Sequence, residues 1–465
     1  MTTNLASHAA RRLVRQLAGH SHRRWVGPTL RAAAVGAALV SAAACSLDVT
    51  NPNAAPEEEV LTTPAGLRAV AIGLQGRYGN AIEESVWVPA LVSGELGNTN
   101  ASQSTQREFQ LFPTPSANAQ IEEANTELLD LWAKNYAVVR SADDILGNVD
   151  AVALTPGTRS GMTVLAKTLK AIAFGTLIES FEQIPLDPAQ ENPVFSPRAE
   201  VLARVLDLLA SARADLAAEP PSTEFTSTVL AAGFDLPNTI IAMQARFSLA
   251  AGNGEQALAF ANEVPASATS VITYATADPN PLRGVFHALS YFAAIASFRT
   301  NAEPGDARVN RFTTATASSA FGGATLVGLN VYRNVTDPIP VFTQDELTLI
   351  RAEAHARALR LPEGRVEVNR VRVAAGLPAL PDEALATEDA VLAEIYRQRT
   401  YSLFITGLHW ADQRRLGHLA EAKVAWLPYP LSERSTNSNT PPNPQCASVP
   451  SPWLCRLPAL HGMLW

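Results

Sequence analysis

The apolar positions of this sequence recur at spacings of three and four residues over much of its length, most regularly in residues 345–417. This spacing places apolar side chains on one face of an α-helix. The stretch predicts three helices: one over 345–358, one that ends before Gly376 and Pro378, and one that begins after the N-cap candidate Thr387. Small residues such as Ala354 and Ala358 mark where backbones would approach each other, as in proteins built from stacked helix pairs.

The same period predicts further helices before this stretch. In chain order they cover 64–78, 121–146, 163–182, 197–217, 238–251 and 255–264. The last two are joined by a Gly-Asn-Gly turn, and together they resemble one tetratricopeptide unit.

The helical pattern loosens between residues 265 and 340. Short β-prone pieces at 271–274 and 326–335 alternate with loops there, and one helix is predicted over 283–298. We therefore expect an irregular lobe, 265–340, inserted between helical repeats at 63–264 and 341–421. Irregular loops on a rigid scaffold commonly carry recognition.

The order of several short motifs near the C-terminal end resembles a known family signature. The motifs are the helix LIRAEAHARA, then Val368-Asn369, Val371-Arg372, Ala375-Gly376, Arg399, Leu403, Gly407, Trp410, Asp412 and Arg415. They resemble the SusD/RagB family of outer-membrane nutrient-uptake lipoproteins. The sequence departs from the family at Gln398, Ser402 and Thr406, where acids are usual, and at His409, where arginine is usual.

The resemblance implies a fold and a function. The fold is mainly α, a tetratricopeptide-like scaffold of helix pairs with an inserted irregular lobe that contains short strands. Members of the family lie on the outer membrane, cap a TonB-dependent β-barrel transporter, and capture oligosaccharides or peptides without catalysis or cofactor. Two other classes stay open from the sequence: a lipid-anchored helical scaffold that binds protein partners, and an enzyme that acts on glycans.

The N-terminal residues have the pattern of a targeting segment. Six arginines and no acids precede an apolar run of 13 residues, too short to span a bilayer, which ends in three alanines before Cys45. We predict a lipoprotein signal peptide over 1–44, acylation of Cys45, and a lipidated tether over 45–62. An ordinary signal peptide followed by a coincidental cysteine is the alternative.

Two cysteines remain if Cys45 carries lipid. Cys446 and Cys455 lie in a Pro-rich tail, 430–465, at the end of the predicted SusD-like domain, 63–465. In an oxidising compartment this pair is expected to form a disulfide, and two free thiols are the alternative.

The charge balance argues against nucleic-acid binding. The formal net charge is −8, and the basic residues of the targeting segment would be lost with it, which leaves about −14. Nucleic-acid binding needs a basic surface, so no nucleic-acid partner is predicted.

The sequence contains no recognisable catalytic or metal-binding motif. It has no H-E-x-x-H, no G-x-S-x-G, no P-loop and no clustered Cys/His set. Adjacent carboxylates such as Glu83 and Glu84 do not face each other on a helix, so they indicate a solvated face. No enzyme activity, metal or cofactor is predicted.

A binding protein for sugars needs aromatic faces for the C–H side of the ring, and amides for the hydroxyls. Trp87 precedes a loop with three amides, and two further aromatics lie in the irregular lobe, where each could also be a core residue. The candidate ligand-binding residues are Trp87, Asn98, Asn100, Gln103, Tyr274 and Phe321. Trp132, Tyr136 and Trp410 are assigned to the core because they lie at helical spacing.

Overall fold

Long helices dominate the structure, a computed structural model that describes residues 60–99, 104–110, 121–319, 325–422 and 424–444. These residues belong to one unit, Glu57–Trp465. The helices are α1 Pro64–Val92, α2 Ser104–Phe109, α3 Thr126–Asn148, α4 Pro156–Ser180, α5 Arg198–Ala218, α6 Thr223–Thr228, α7 Leu236–Ala250, α8 Gly254–Glu263, α9 Pro281–Arg283, α10 Ser297–Thr300, α11 Ala307–Phe312, α12 Gln344–Arg357, α13 Leu361–Ala374, α14 Glu388–Ser402, α15 His409–Arg415, α16 Leu419–Ala422 and α17 Leu431–Thr436.

The helix boundaries follow from capping residues in the sequence. The side chain of Thr63 accepts a hydrogen bond from the Gly66 amide before α1, and that of Thr387 accepts from the Ala390 amide before α14. These bonds satisfy amides that have no partner inside the helix. After α13, Gly376 has a φ of 82°, the left-handed conformation that terminates a helix and favours glycine.

Successive helices pack side by side, with α3 between α1 and α4, then α5, α7, α8 and α12 in turn. The connections 149–155 and 251–253 are short, so α3 with α4 and α7 with α8 form helix pairs, as in a tetratricopeptide array. Close approach needs small residues: at Gly175 on α4 an added Cβ would lie 2.1 Å from the Phe247 ring of α7. The mainly α, tetratricopeptide-like fold class predicted from the sequence is confirmed.

Helix α4 is long and apolar enough to cross a membrane by length and composition. However, 83% of its most apolar window is buried inside the protein, against the neighbouring helices. It is the central helix of the array, and its apolarity reflects contacts on all sides.

Short strands occur within the first helical part of the chain, at 96–98, 183–185 and 195–197, and after it, between residues 270 and 342. A four-stranded sheet has the order β1-β5-β7-β6, from Leu96–Asn98, Phe292–Ile295, Thr325–Leu329 and Thr313–Ser319. Two antiparallel pairs complete the strands described: β2 Gln183–Pro185 with β3 Phe195–Pro197, and β4 Ser270–Ile272 with β8 Ile339–Phe342.

The single helix predicted over 283–298 is wrong. The structure has the short helix α9, a π-helical turn at Gly284–Ala288, and then strand β5. Strand β5 pairs with β1 and β7, which are distant in sequence, so the sheet overrides the local helical pattern.

A buried network of charges joins α12, α14 and α15. Asp412 accepts from Arg399 Nε at 2.7 Å and from Arg415 Nη2 at 2.8 Å, and Arg415 also pairs with Glu353. Asp412 and Glu353 are both at most 2% exposed. The network ties the C-terminal helices into one block.

Candidate functional site

The structure places Trp87 in the core and so corrects its assignment as a surface platform. Helix α1 continues past residue 78 to Val92, which makes Trp87 a residue of a helix interior. Its ring is 1% exposed, stacks on Phe292 at 4.9 Å between centroids, and meets the edge of Phe109 at 5.8 Å. A ring covered in this way offers no face to a ligand.

Asn98 is also buried and has a structural role. Its side-chain amide donates to the carbonyl of Gln106 at 3.3 Å and to Gln110 Oε1 at 3.1 Å. Asn98 is 0% exposed, so it is not available to sugar hydroxyls, although its Oδ1 has no hydrogen-bond partner. Asn100 and Gln103 lie outside the described residues.

Tyr274 is half-buried, and its hydroxyl donates to the carbonyl of Gly79 at 3.2 Å. Phe321 lies outside the described residues.

A crevice with the chemistry expected of a sugar site lies elsewhere, and we call it the aromatic crevice. It encloses about 390 Å³ between α3, the β2–β3 connection and α17. Its lining residues are Trp132, Tyr136, Pro185, Pro188, Gln190, Glu191, Asn192, Pro193, Glu433, Thr436 and Asn437.

The floor of the aromatic crevice consists of two rings one helical turn apart on α3. Trp132 and Tyr136 have centroids 4.8 Å apart, and Phe181, Phe195 and Tyr429 support Trp132 from behind. Trp132 is 6% exposed and Tyr136 is half-buried, so the floor is fixed by packing and reaches solvent chiefly through Tyr136.

Tyr136 is held in one orientation. Its hydroxyl donates to the carbonyl of Pro185 at 2.9 Å. Burial, with a smaller contribution from Glu433, raises the pKa of this hydroxyl well above its usual value. The phenol thus stays neutral over the whole physiological range, and its ring carries no charge into the crevice.

Hydrogen bonds between two distant segments fix the rim. Asn437 Nδ2 donates to the carbonyl of Pro193 at 2.9 Å, and the Ser438 amide donates to Asn192 Oδ1 at 3.0 Å. Asn192 has a φ of 51°, a left-handed conformation that asparagine tolerates better than most residues. The rim is therefore a preformed structure.

The exposed side chains of the rim are amides and carboxylates. Gln190, Glu191 and Asn192 are exposed, and the lining includes no lysine, arginine or histidine. An aromatic floor with an amide and carboxylate rim suits a neutral, hydroxyl-rich ligand. A strongly anionic ligand would be repelled by Glu191 and Glu433.

A second cavity, of about 370 Å³, lies inside the helical array. Five arginines line it: Arg246 pairs with Glu346, Arg399 and Arg415 share Asp412, and Arg198 and Arg414 share Glu179. Arg415 also pairs with Glu353, so each arginine is held by an acid and the cavity carries a small excess of positive charge.

Sequence reasoning missed the aromatic crevice for a clear reason. Its three segments are far apart in the chain. In addition, Trp132 and Tyr136 were assigned to the core because of their helical spacing, and most of the surface of Trp132 is indeed buried. The available signal was the polar stretch Gln190-Glu191-Asn192 between two prolines, which is typical of an exposed loop.

Several solved structures share this architecture. A SusD superfamily protein from Parabacteroides distasonis has a TM-score of 0.64 and 15% identity, covering 80% of this chain and 98% of that one. A SusD-like carbohydrate binding protein from Bacteroides vulgatus has a TM-score of 0.59 and 18% identity, covering 76% and 83%. NanU of B. fragilis has a TM-score of 0.63 and 14% identity, covering 85% and 99%.

No protein-family model matches the sequence, and no curated protein is similar enough in sequence to count as a match. The structural likeness nevertheless extends over about four fifths of this chain and nearly all of two of these three proteins. The chain is thus an α-helical repeat protein with a lobe of short strands. More particularly, it has the SusD-like fold, as its C-terminal motifs implied.

Proposed function

We propose that the protein is a non-catalytic, lipid-anchored outer-membrane protein that captures an oligosaccharide in the aromatic crevice. The observation that carries the proposal is an aromatic floor with an amide and carboxylate rim on a SusD-like scaffold. One protein with this fold is described as carbohydrate binding, which agrees with the chemistry of the crevice.

The physical argument rests on how sugars present themselves. A pyranose ring has an apolar C–H face, which stacks on the exposed part of Tyr136, and an edge of hydroxyls, which both donate and accept hydrogen bonds. Gln190 can do both, Asn192 can donate through its side-chain amide because its Oδ1 already accepts from Ser438, and Glu191 accepts. The rim is preformed, so little ordering entropy opposes binding.

Delivery to a TonB-dependent transporter and location at the outer membrane complete the proposal. Both are supported by the N-terminal sequence pattern and by the resemblance of the C-terminal motifs. Peptide capture, or binding of envelope proteins by the helical array, is the competing function.

Ligand capture is tested with the protein lacking residues 1–45 on glycan and peptide arrays, followed by calorimetric titration. We expect a neutral glycan to bind, and a Gln190→Ala/Glu191→Ala variant to lose about tenfold in affinity with an unchanged melting temperature. Losing one or two rim hydrogen bonds, at about 1 kcal/mol each, accounts for this size.

The matched control is Glu200→Ala, an exposed acid on α5 outside the crevice, which should bind like the wild type. Unchanged affinity in the folded double variant would move the site away from the crevice. Binding of peptides alone would favour the competing function, and hydrolysis of the glycan would show an enzyme.

The anchor is tested at Cys45, which lies outside the described residues. We expect the wild type to carry an acyl mass and to partition into detergent, and Cys45→Ala to do neither. Several acyl chains on one residue bind a membrane firmly, whereas one binds it marginally. Equal membrane association without a mass change in the wild type would contradict the anchor.

Cys446 and Cys455 also lie outside the described residues, and their disulfide stays a prediction.

A further inference from the structure

A cluster of carboxylates lies where α1 passes the beginning of α3, away from the aromatic crevice. Oxygen atoms of Glu84, Glu127 and Asp130 all lie within 4.8 Å of one another. Glu83 is close enough to interact electrostatically with all three. The cluster comes from two helices, and Glu84 and Glu127 are 43 residues apart in the chain, which is why sequence spacing predicts no metal site there.

One member of the cluster is buried with an atom left unsatisfied. Glu84 is 3% exposed, and its Oε1 accepts from Lys134 Nζ at 2.5 Å. Its other oxygen, Oε2, is buried and has no hydrogen-bond partner. A buried carboxylate oxygen without a partner costs free energy, and a bound cation would remove that cost.

The charges of the cluster do not balance. Four carboxylates face the single ammonium group of Lys134, which leaves a net charge of −3 if all are ionised. A bound divalent cation would offset two of these three negative charges.

The donor set suits a hard divalent cation of the size of calcium. Calcium takes six to eight oxygen ligands at about 2.3–2.6 Å, so oxygens on opposite sides of one ion lie about 5 Å apart. Carboxylates from Glu84, Glu127 and Asp130 meet this spread, and each can bind through one or two oxygens. The Thr105 hydroxyl, 3.5 Å from Glu127 Oε1, is a neutral oxygen nearby. Gln106 Nε2 donates to the same Glu127 oxygen at 2.5 Å, which leaves Glu127 Oε2 for the cation.

We propose that Glu84, Glu127 and Asp130 form a calcium-binding site that joins α1 to α3. The buried Glu84 carboxylate is the inner ligand, and the exposed Asp130 closes the site from solvent. Magnesium should bind more weakly, because it demands shorter distances, near-ideal octahedral geometry and several retained waters.

The test uses the full chain, purified, treated with a chelator, and then titrated with calcium chloride or magnesium chloride. We expect calcium to raise the melting temperature by several degrees, since a ligand of the folded state alone stabilises it, and magnesium to do less. Asp130→Asn should weaken the calcium dissociation constant, measured by calorimetry, at least tenfold. Asp130 is exposed, so this variant should fold normally.

Two further variants keep the result decisive. Asp389→Asn removes an exposed acid from the first turn of α14 and should bind calcium like the wild type. Glu84→Gln should abolish the shift caused by calcium, whatever its own melting temperature. No calcium binding by the wild type, or the same affinity in Asp130→Asn and Asp389→Asn, would overturn the proposal and leave Lys134 as the counter-ion of the cluster.

Discussion

Replacing Trp87 by alanine should lower the free energy of unfolding by about 3–5 kcal/mol and leave glycan affinity unchanged. The change removes a side chain that is 1% exposed and leaves a cavity between α1, α2 and strand β5. Truncation of buried aromatics costs an amount of this size, from lost transfer free energy and from the cavity. The stack of Trp87 on Phe292 connects the helical array to the sheet, so the variant should destabilise both parts.

Urea denaturation gives the stability, and calorimetric titration with the best array ligand gives the affinity. Leu129→Ala is the control, because Leu129 is 37% exposed on α3 and its truncation should cost far less. A Trp87→Ala variant that keeps its stability but loses ligand would restore Trp87 as a binding platform. That result would contradict the burial described above.

Replacing Asp412 by alanine should cost about 3–5 kcal/mol of stability, because it leaves the buried Arg399 without an acid and Arg415 with Glu353 alone. Asp412 is 2% exposed and bonds to both Arg399 and Arg415. Arg415 keeps its ion pair with Glu353, so Arg399 is the arginine that the variant leaves as an unpaired buried charge. Asp207→Ala, an exposed change on α5, is the control and should stay within about 0.5 kcal/mol of the wild type.

The pH dependence of this effect has a definite sign. Burial alone would raise the pKa of Asp412, but Arg399 and then Arg415 outweigh it and lower the pKa below its usual value. A lowered folded-state pKa stabilises the protein above the unfolded pKa of about 3.9, and this contribution is lost as pH falls through the folded pKa. Denaturation at pH 7 and near pH 3 should therefore show a large difference between wild type and Asp412→Ala at pH 7 and a smaller one in acid. A difference that grows in acid would contradict the assignment.

Much of the fold could be predicted from the sequence because it is local. Helical periodicity, the cap at Thr387 and the left-handed Gly376 depend on neighbours a few residues away, and the structure has all three. The helix expected over 283–298 failed because strand β5 is stabilised by β1 and β7, which local periodicity cannot reveal. The predicted end of α1 at residue 78, instead of Val92, was the more serious error, because it placed Trp87 beside a loop and not inside a helix.

The candidate site could not be predicted because it is assembled from three distant segments. Trp132 belongs to a helix, Asn192 to a connection between two short strands, and Asn437 to the C-terminal part. In the sequence, each of these residues is adequately explained by a structural role: a core residue, a turn residue or a helix cap. Hydrogen bonds between residues 192–193 and 437–439, and the packing of Tyr429 on Trp132 and Phe195, bring them to one place.

The position of the last of these segments has a consequence for the order in which the protein matures. A chain is synthesised from its N-terminus, and its earlier parts can fold first. Helix α3 and the β2–β3 connection are complete long before α17, which supplies Glu433 and Thr436 to the crevice. The scaffold can thus form while its crevice still lacks one wall, and the chain acquires its complete crevice only when its final segment has emerged and docked.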